Sequence, residues 1–221
     1  MSATVAAVLF DLDGTVIDSA PDLAGAANDM LRARGLPDAP YDRLRAAVGS
    51  GARGLVGEAF GVIPGDATFE PLRDEFLTRY ESRMTRDTRI FDAVDQLLRS
   101  LESRSLPWGI VTNKSIRLAD PLSRALGLFE RAAVVIGGDS TPHAKPHPEP
   151  LLEAARRMRV DPTRCFYVGD DLRDVQAGRA AGMKTVAAKW GYLGLGESVE
   201  AWGAHHIADT PQDLLQWLAM A

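Results

Sequence analysis

Short, continuous apolar runs recur along the chain, separated by stretches with helical spacing. Val5-Ala6-Ala7-Val8-Leu9-Phe10 has the pattern of a strand buried on both faces. From Ile90 onward the runs at 106–111, 132–136, 165–168 and 185–188 repeat it, with helical patterns such as 115–128 and 150–158 between them. That alternation predicts parallel strands joined by crossover helices. Between the first run and Ile90 the period changes. Segments 22–34, 41–48, 53–60 and 68–84 read as helices set apart by Gly and Pro, with no convincing strand. The pattern therefore predicts an α/β chain whose core, residues 1–17 and 86–221, is interrupted after its first strand by a helical insertion, 18–85. Polar residues at the C-terminal ends of parallel strands then meet in one crevice.

Composition narrows the classes. A chain of 221 residues can hold a core with an insertion, and 46% hydrophobic with 25% charged residues describes a globular protein. A formal net charge of −5, with no Lys/Arg tract interleaved with aromatics, argues against nonspecific nucleic-acid binding. No apolar stretch reaches membrane-spanning length, and the N-terminal run is short and lacks the basic lead of a signal peptide, so a cytoplasmic location is expected. No feature points to an oligomeric state. The one cysteine, Cys165, excludes an internal disulfide, and its apolar run makes it a buried, inert thiol.

The candidate chemistry lies where apolar runs end. Asp11 and Asp13, one residue apart after the first run, point to the same side in strand geometry and repel unless a cation or shared proton intervenes. Thr112-Asn113 ends the run at 108–111, Lys145-Pro146 precedes the helical pattern at 150–158, and Gly169-Asp170-Asp171-Leu172-Arg173-Asp174 ends the run at 165–168. Acidic residues at a helix start, as at Asp171 and Asp174, are favoured by the unpaired amides there with or without a metal.

These four segments, in this order, resemble the motifs of the haloacid dehalogenase-like hydrolase superfamily, with Asp-x-Asp-Gly-Thr matched throughout at 11–15. The resemblance implies a Rossmann-like parallel-sheet core with a helical cap inserted after the first strand. It also implies that Asp11 is a nucleophile forming an aspartyl-phosphate and that Asp13 is the proton shuttle. By the same resemblance Thr112 and Asn113 bind phosphoryl oxygens and Lys145 balances their charge. Asp11, Asp170 and the backbone carbonyl of Asp13 would hold a magnesium ion, with Asp171 and Asp174 outside them. Oxygen donors favour magnesium over zinc, and His143 and His147 read as loop residues.

Gly49-Ser50-Gly51-Ala52-Arg53-Gly54 has the spacing of a dinucleotide-binding loop, but no apolar strand precedes it. The resemblance instead assigns it to the cap, where Arg53 is a candidate for substrate specificity or a solvated helix-start arginine. Trp190, Trp202, His205 and His206 are read as packing residues.

Within the superfamily the chain resembles the phosphoglycolate phosphatase group. Residues 50–53, 108–114 and 169–174 are more similar to the branch acting on N-acetylmuramic acid 6-phosphate. The expected function is thus magnesium-dependent hydrolysis of a small phosphorylated metabolite, that amino sugar first and phosphoglycolate second. A sugar phosphomutase or a noncatalytic phosphate-binding module are lesser alternatives. The related dehalogenases attack carbon and make no such use of a second aspartate.

Overall fold

The computed structural model describes residues 5–194 and 196–220; residues 1–4, 195 and 221 of the two expected core segments lie outside the described residues. The chain divides into two compact units. One comprises Met1–Ile17, Ile90–Leu193 and Glu197–Ala221, the other Asp18–Arg89 with Gly194–Gly196.

In chain order the elements begin with strands β1 (Ala7–Phe10) and β2 (Ile17–Asp18). Helices α1 (Ala20–Arg32), α2 (Tyr41–Ala47), α3 (Gly51–Phe60) and α4 (Phe69–Glu81) follow, then β3 (Arg89–Ile90). The chain continues with α5 (Asp92–Ser103), β4 (Trp108–Val111), α6 (Ile116–Ala125), β5 (Val135–Ile136) and α7 (Glu149–Met158). It ends with β6 (Cys165–Gly169), α8 (Leu172–Ala180), β7 (Lys184–Ala188), β8 (His206–Ala208) and α9 (Pro211–Met220).

The first unit is built on a six-stranded sheet of order β5-β4-β1-β6-β7-β8, parallel at every pairing. β1 is central, with Val8 opposite Trp108 on one side and Phe166 on the other. Its four residues are fully buried, which is why it carries no alternation of polar and apolar positions. Leu9, Val111, Ile136, Leu151 and Tyr167 share one apolar cluster, and Val175, Ala187, Val199 and Trp202 form another. Cys165 lies in the first of these, and burial pushes its thiol up to about 11, the state of an unreactive cysteine.

Sequence and structure differ at several element ends, and most clearly at β1 and β8. β1 begins at Ala7 rather than Val5, because Val5 and Ala6 are only half buried. β8 does not stand out as an apolar run; it is an edge strand pairing with β7 alone, and one neighbour suffices for a short, half-polar segment. The histidines beside it have separate packing roles. His205 Nδ1 accepts from the Thr185 N–H at 3.0 Å, while the His206 ring stacks on Trp217 at 4.9 Å.

The second unit is helical. Met30, Leu44, Leu55, Phe76 and Tyr80 are buried in it. A buried polar knot holds its closing segment: Asp22, fully buried in α1, accepts from the N–H groups of Asp87 and Thr88 at 3.0 and 2.9 Å and from the Thr88 hydroxyl at 2.8 Å. Arg83 pairs with Asp29 at 2.6 Å, in space that a Cβ on Gly25 would occupy. Among the described residues no helix is long and apolar enough to cross a membrane.

Candidate active site

The ends of three strands position the polar groups of the first unit. At the end of β1 the Asp11 N–H donates to the Val168 carbonyl at 2.8 Å, so sheet pairing continues one residue beyond the strand and fixes Asp11 beside β6. The chain then turns: Val16 and Ile17 N–H groups donate to the Leu12 carbonyl, and Gly14 takes φ +82°. A Cβ on Gly14 would also stand 2.2 Å from Asp170 Oδ2. Glycine is therefore needed at 14 for conformation and for space alike.

At the end of β6, Asp170 is 4% exposed. Its Oδ1 accepts from the Thr15 hydroxyl and its Oδ2 from the Tyr192 N–H, both at 2.8 Å. Asp171 caps α8, accepting from the Arg173 N–H at 2.9 Å, and Asp174 reciprocates by accepting from the Asp171 N–H at 3.1 Å. This capping box fixes the helix start immediately after Asp170. The Arg173 guanidinium also pairs with Asp171 and, against the effect of burial, holds that carboxyl below its ordinary range.

One ligand oxygen from each of Asp11, Asp170 and Asp174 lies within 4.8 Å of the others. Between Asp11 and Asp174 sits the Lys145 ammonium, 2.9 Å from Asp11 Oδ1 and 2.7 Å from Asp174 Oδ1, with the Tyr167 hydroxyl and the Val111 carbonyl at 2.8 and 3.1 Å. Burial opposes this ammonium, but Asp11 and Asp174 hold its proton affinity above the ordinary value. Burial, with Asp11 and Asp174 beside it, raises Asp170 well above the carboxylate range. Asp174 is raised as well, by burial against the pull of Lys145.

The donor set suits a hard divalent cation. Its oxygens carry more negative charge than one ammonium cancels, and Asp11 Oδ1, although paired with Lys145, is buried without a hydrogen-bond donor in good geometry. A cation here would reverse the proton affinities of the cluster. Without it, Asp170 binds its proton more tightly in the folded chain than in the unfolded one. Its contribution to stability is then present below the ordinary carboxylate range and lost as pH rises. In chelator, the denaturation midpoint of the native chain should fall relative to that of Asp170→Asn as pH is raised from about 4 to about 7, and a bound divalent cation should reverse that trend. A rising relative midpoint in chelator would contradict the buried cluster.

The other expected residues fall as follows. Thr112 lies just beyond β4, is 2% exposed and accepts from the Lys114 N–H at 3.2 Å, which leaves its hydroxyl proton for an incoming oxygen. The Asn113 side-chain amide holds the backbone of Lys145, donating to the carbonyl and accepting from the N–H at 2.9 Å each. Asp13 Oδ2 is 3.1 Å from the Lys114 ammonium. Arg53 is exposed in the first turn of α3, in the second unit. The His143 and His147 rings lie 4.4 Å apart in an exposed loop.

Several contacts escape sequence reading. Thr15, Lys114 and Tyr167 stand inside or beside the motif segments, so their proximity was visible although their partners were not. Trp190, whose indole donates to the Thr15 carbonyl at 3.0 Å, buttresses the turn after β1. Gly191 carries no local signal, yet a Cβ there would stand 2.2 Å from that of Asp170.

Carboxylates at the ends of adjacent parallel strands thus meet beside one buried ammonium. The model of the haloacid dehalogenase-like hydrolase family matches residues 5–182, and the chain belongs to it. Among individual proteins, it is 43% identical over 215 residues to N-acetylmuramic acid 6-phosphate phosphatase of Pseudomonas aeruginosa, covering 97% of this chain and 95% of that one. It is 47% identical over 208 residues to a phosphoglycolate phosphatase of Xanthomonas campestris pv. campestris, covering 94% of each. The crystal structure of a predicted phosphoglycolate phosphatase from Haemophilus somnus superposes with a TM-score of 0.85 at 27% identity, covering 98% of this chain and 99% of that one.

Proposed function

We propose that this phosphomonoesterase uses magnesium and an aspartyl-phosphate on Asp11 to hydrolyse N-acetylmuramic acid 6-phosphate. The observation that carries the mechanism is the meeting of Asp11, Asp170 and Asp174 within 4.8 Å around the Lys145 ammonium. Asp11 attacks phosphorus as the ester P–O bond breaks, and Asp13 gives its proton to the leaving oxygen. Asp13 then takes a proton from the water that releases inorganic phosphate from Asp11. Thr112 and the Asn113 N–H donate to phosphoryl oxygens, and Lys145 offsets their charge. Magnesium, held by Asp11, Asp170 and the Asp13 carbonyl, would supply further positive charge to the phosphoryl group. Asp174 and Asp171 are assigned to a shell outside these ligands, where they fix Lys145 and the start of α8.

Residues 18–85 are assigned the cap, with Arg53 touching the non-phosphate part of the substrate. A cytoplasmic location and a small metabolite rather than nucleic acid as partner complete the reading, consistent with the net charge of −5. Phosphoglycolate is the second candidate, favoured by the 47% identity to the Xanthomonas protein of that name.

The deciding experiment compares phosphate release with magnesium from the two substrates. A preference of about a hundredfold in kcat/KM for the amino sugar supports the proposal, and the reverse transfers it to phosphoglycolate. No release from either would overturn both. Arg53→Ala should raise KM for the preferred substrate by about tenfold while sparing p-nitrophenyl phosphate. Equal losses on both would remove Arg53 from substrate recognition.

A further inference from the structure

Lys114 belongs to none of the roles assigned above, yet its ammonium is 3.1 Å from Asp13 Oδ2, with side-chain exposures of 8% and 19% for the two residues. The backbone makes this encounter possible. Lys114 N–H donates to the Thr112 hydroxyl, and the Lys114 carbonyl accepts from the Gly138 N–H at 2.8 Å, so the residue is pinned on both sides next to the candidate phosphate contacts.

An ammonium has three donors and no acceptor. The Asp13 oxygen facing it is engaged as an acceptor and held in place. A phosphoryl group attacked by Asp11, with its leaving oxygen served by Asp13, comes beside the carboxylate that this ammonium already reaches. A phosphate dianion competes strongly there, because charge-assisted bonds to phosphate oxygens are among the strongest a lysine makes.

We propose that Lys114 exchanges partners during binding: it holds Asp13 in the free protein, passes to a phosphoryl oxygen when the phosphate arrives, and so releases Asp13 for proton transfer. Lys114 is thus a phosphate contact and a positioning residue for Asp13. The inference rests on the phosphatase reading for what Asp13 does afterwards. Its test is a binding measurement, so the two can fail separately.

Affinity for inorganic phosphate is measured by calorimetry at saturating magnesium and fixed pH, for the native chain, Lys114→Met, Asp13→Asn and the double variant. Lys114→Met should weaken phosphate by at least about tenfold, the usual worth of a charge-assisted bond. Asp13→Asn should tighten it, because the ammonium no longer has a competing carboxylate. The tightening must vanish when Lys114 is already Met, which is the coupling that a double-mutant cycle isolates. Were Asp13→Asn to tighten phosphate equally in both backgrounds, the gain would be loss of a negative charge alone and the exchange would be refuted. An unchanged affinity in Lys114→Met refutes it as well. Lys114→Arg keeps the charge and should retain most of the affinity; if it binds phosphate as weakly as Lys114→Met does, with both variants folded, the exchange is also refuted. Failure of the native chain to hydrolyse any phosphomonoester, with these affinities as expected, would overturn the phosphatase reading and leave the exchange standing.

Discussion

Asp11→Asn should leave the fold intact and remove turnover, with kcat falling on the order of a million-fold, the loss expected where a hydrolase loses its nucleophile. The amide is nearly isosteric, and the contacts that place residue 11 are backbone contacts, the N–H to the Val168 carbonyl above all. Lys145 keeps Asp174 at 2.7 Å, so the ammonium is not stranded. Magnesium-dependent phosphate affinity should survive in part, because Asp170 and the groups around Thr112 remain. Steady-state kinetics together with phosphate calorimetry check both halves. Activity within about a hundredfold of native would mean that water attacks phosphorus directly, with Asp11 relegated to charge and position.

Lys145→Met should be the most destabilising single change in the site. It preserves an unbranched stem but removes the cation between Asp11 and Asp174 and leaves two carboxylates facing each other out of water. Breaking a buried ion pair by deleting one partner costs about 3–5 kcal/mol, and here one ammonium serves two acids. Denaturant unfolding in chelator should show a loss that shrinks as pH falls from about 8 to about 4.5, because Asp174, freed of the pull of Lys145, is raised further and takes up a proton. A loss independent of pH would instead assign the effect to packing of the lysine stem. Turnover should fall with magnesium present as well.

The sheet was legible because its interior strands are buried on both faces. Runs such as Val8-Leu9-Phe10 and Phe166-Tyr167-Val168 have no polar alternation to blur them, and their ends carry the acids. β8 was not legible, since an edge strand bonded on one side tolerates His206 and shows no continuous apolar run. The segments of the candidate site stood out for the same reason as the strands they terminate. What each side chain touches did not. Thr15 meets Asp170 across 155 positions, and the amide of Asn113 reaches the Lys145 backbone across 32, so no local pattern encodes either bond. Asn113 illustrates the limit: an asparagine at a strand end looks the same whether its amide faces a ligand or another loop. The demand for glycine at 191 is hidden in the same way, because it arises from the position of Asp170 rather than from the turn around it.

Asp174 has two duties, closing the first turn of α8 through the Asp171 N–H and holding Lys145 through its other oxygen. The beginning of that helix therefore cannot fray without releasing the lysine, and the lysine cannot leave without exposing a carboxylate that the helix start also needs. Amide exchange at Asp171 should consequently report on the cluster as a whole, slowing to the rate of global opening rather than the faster rate usual for a helix terminus. Lys145 and the first turn of α8 thus come into place together.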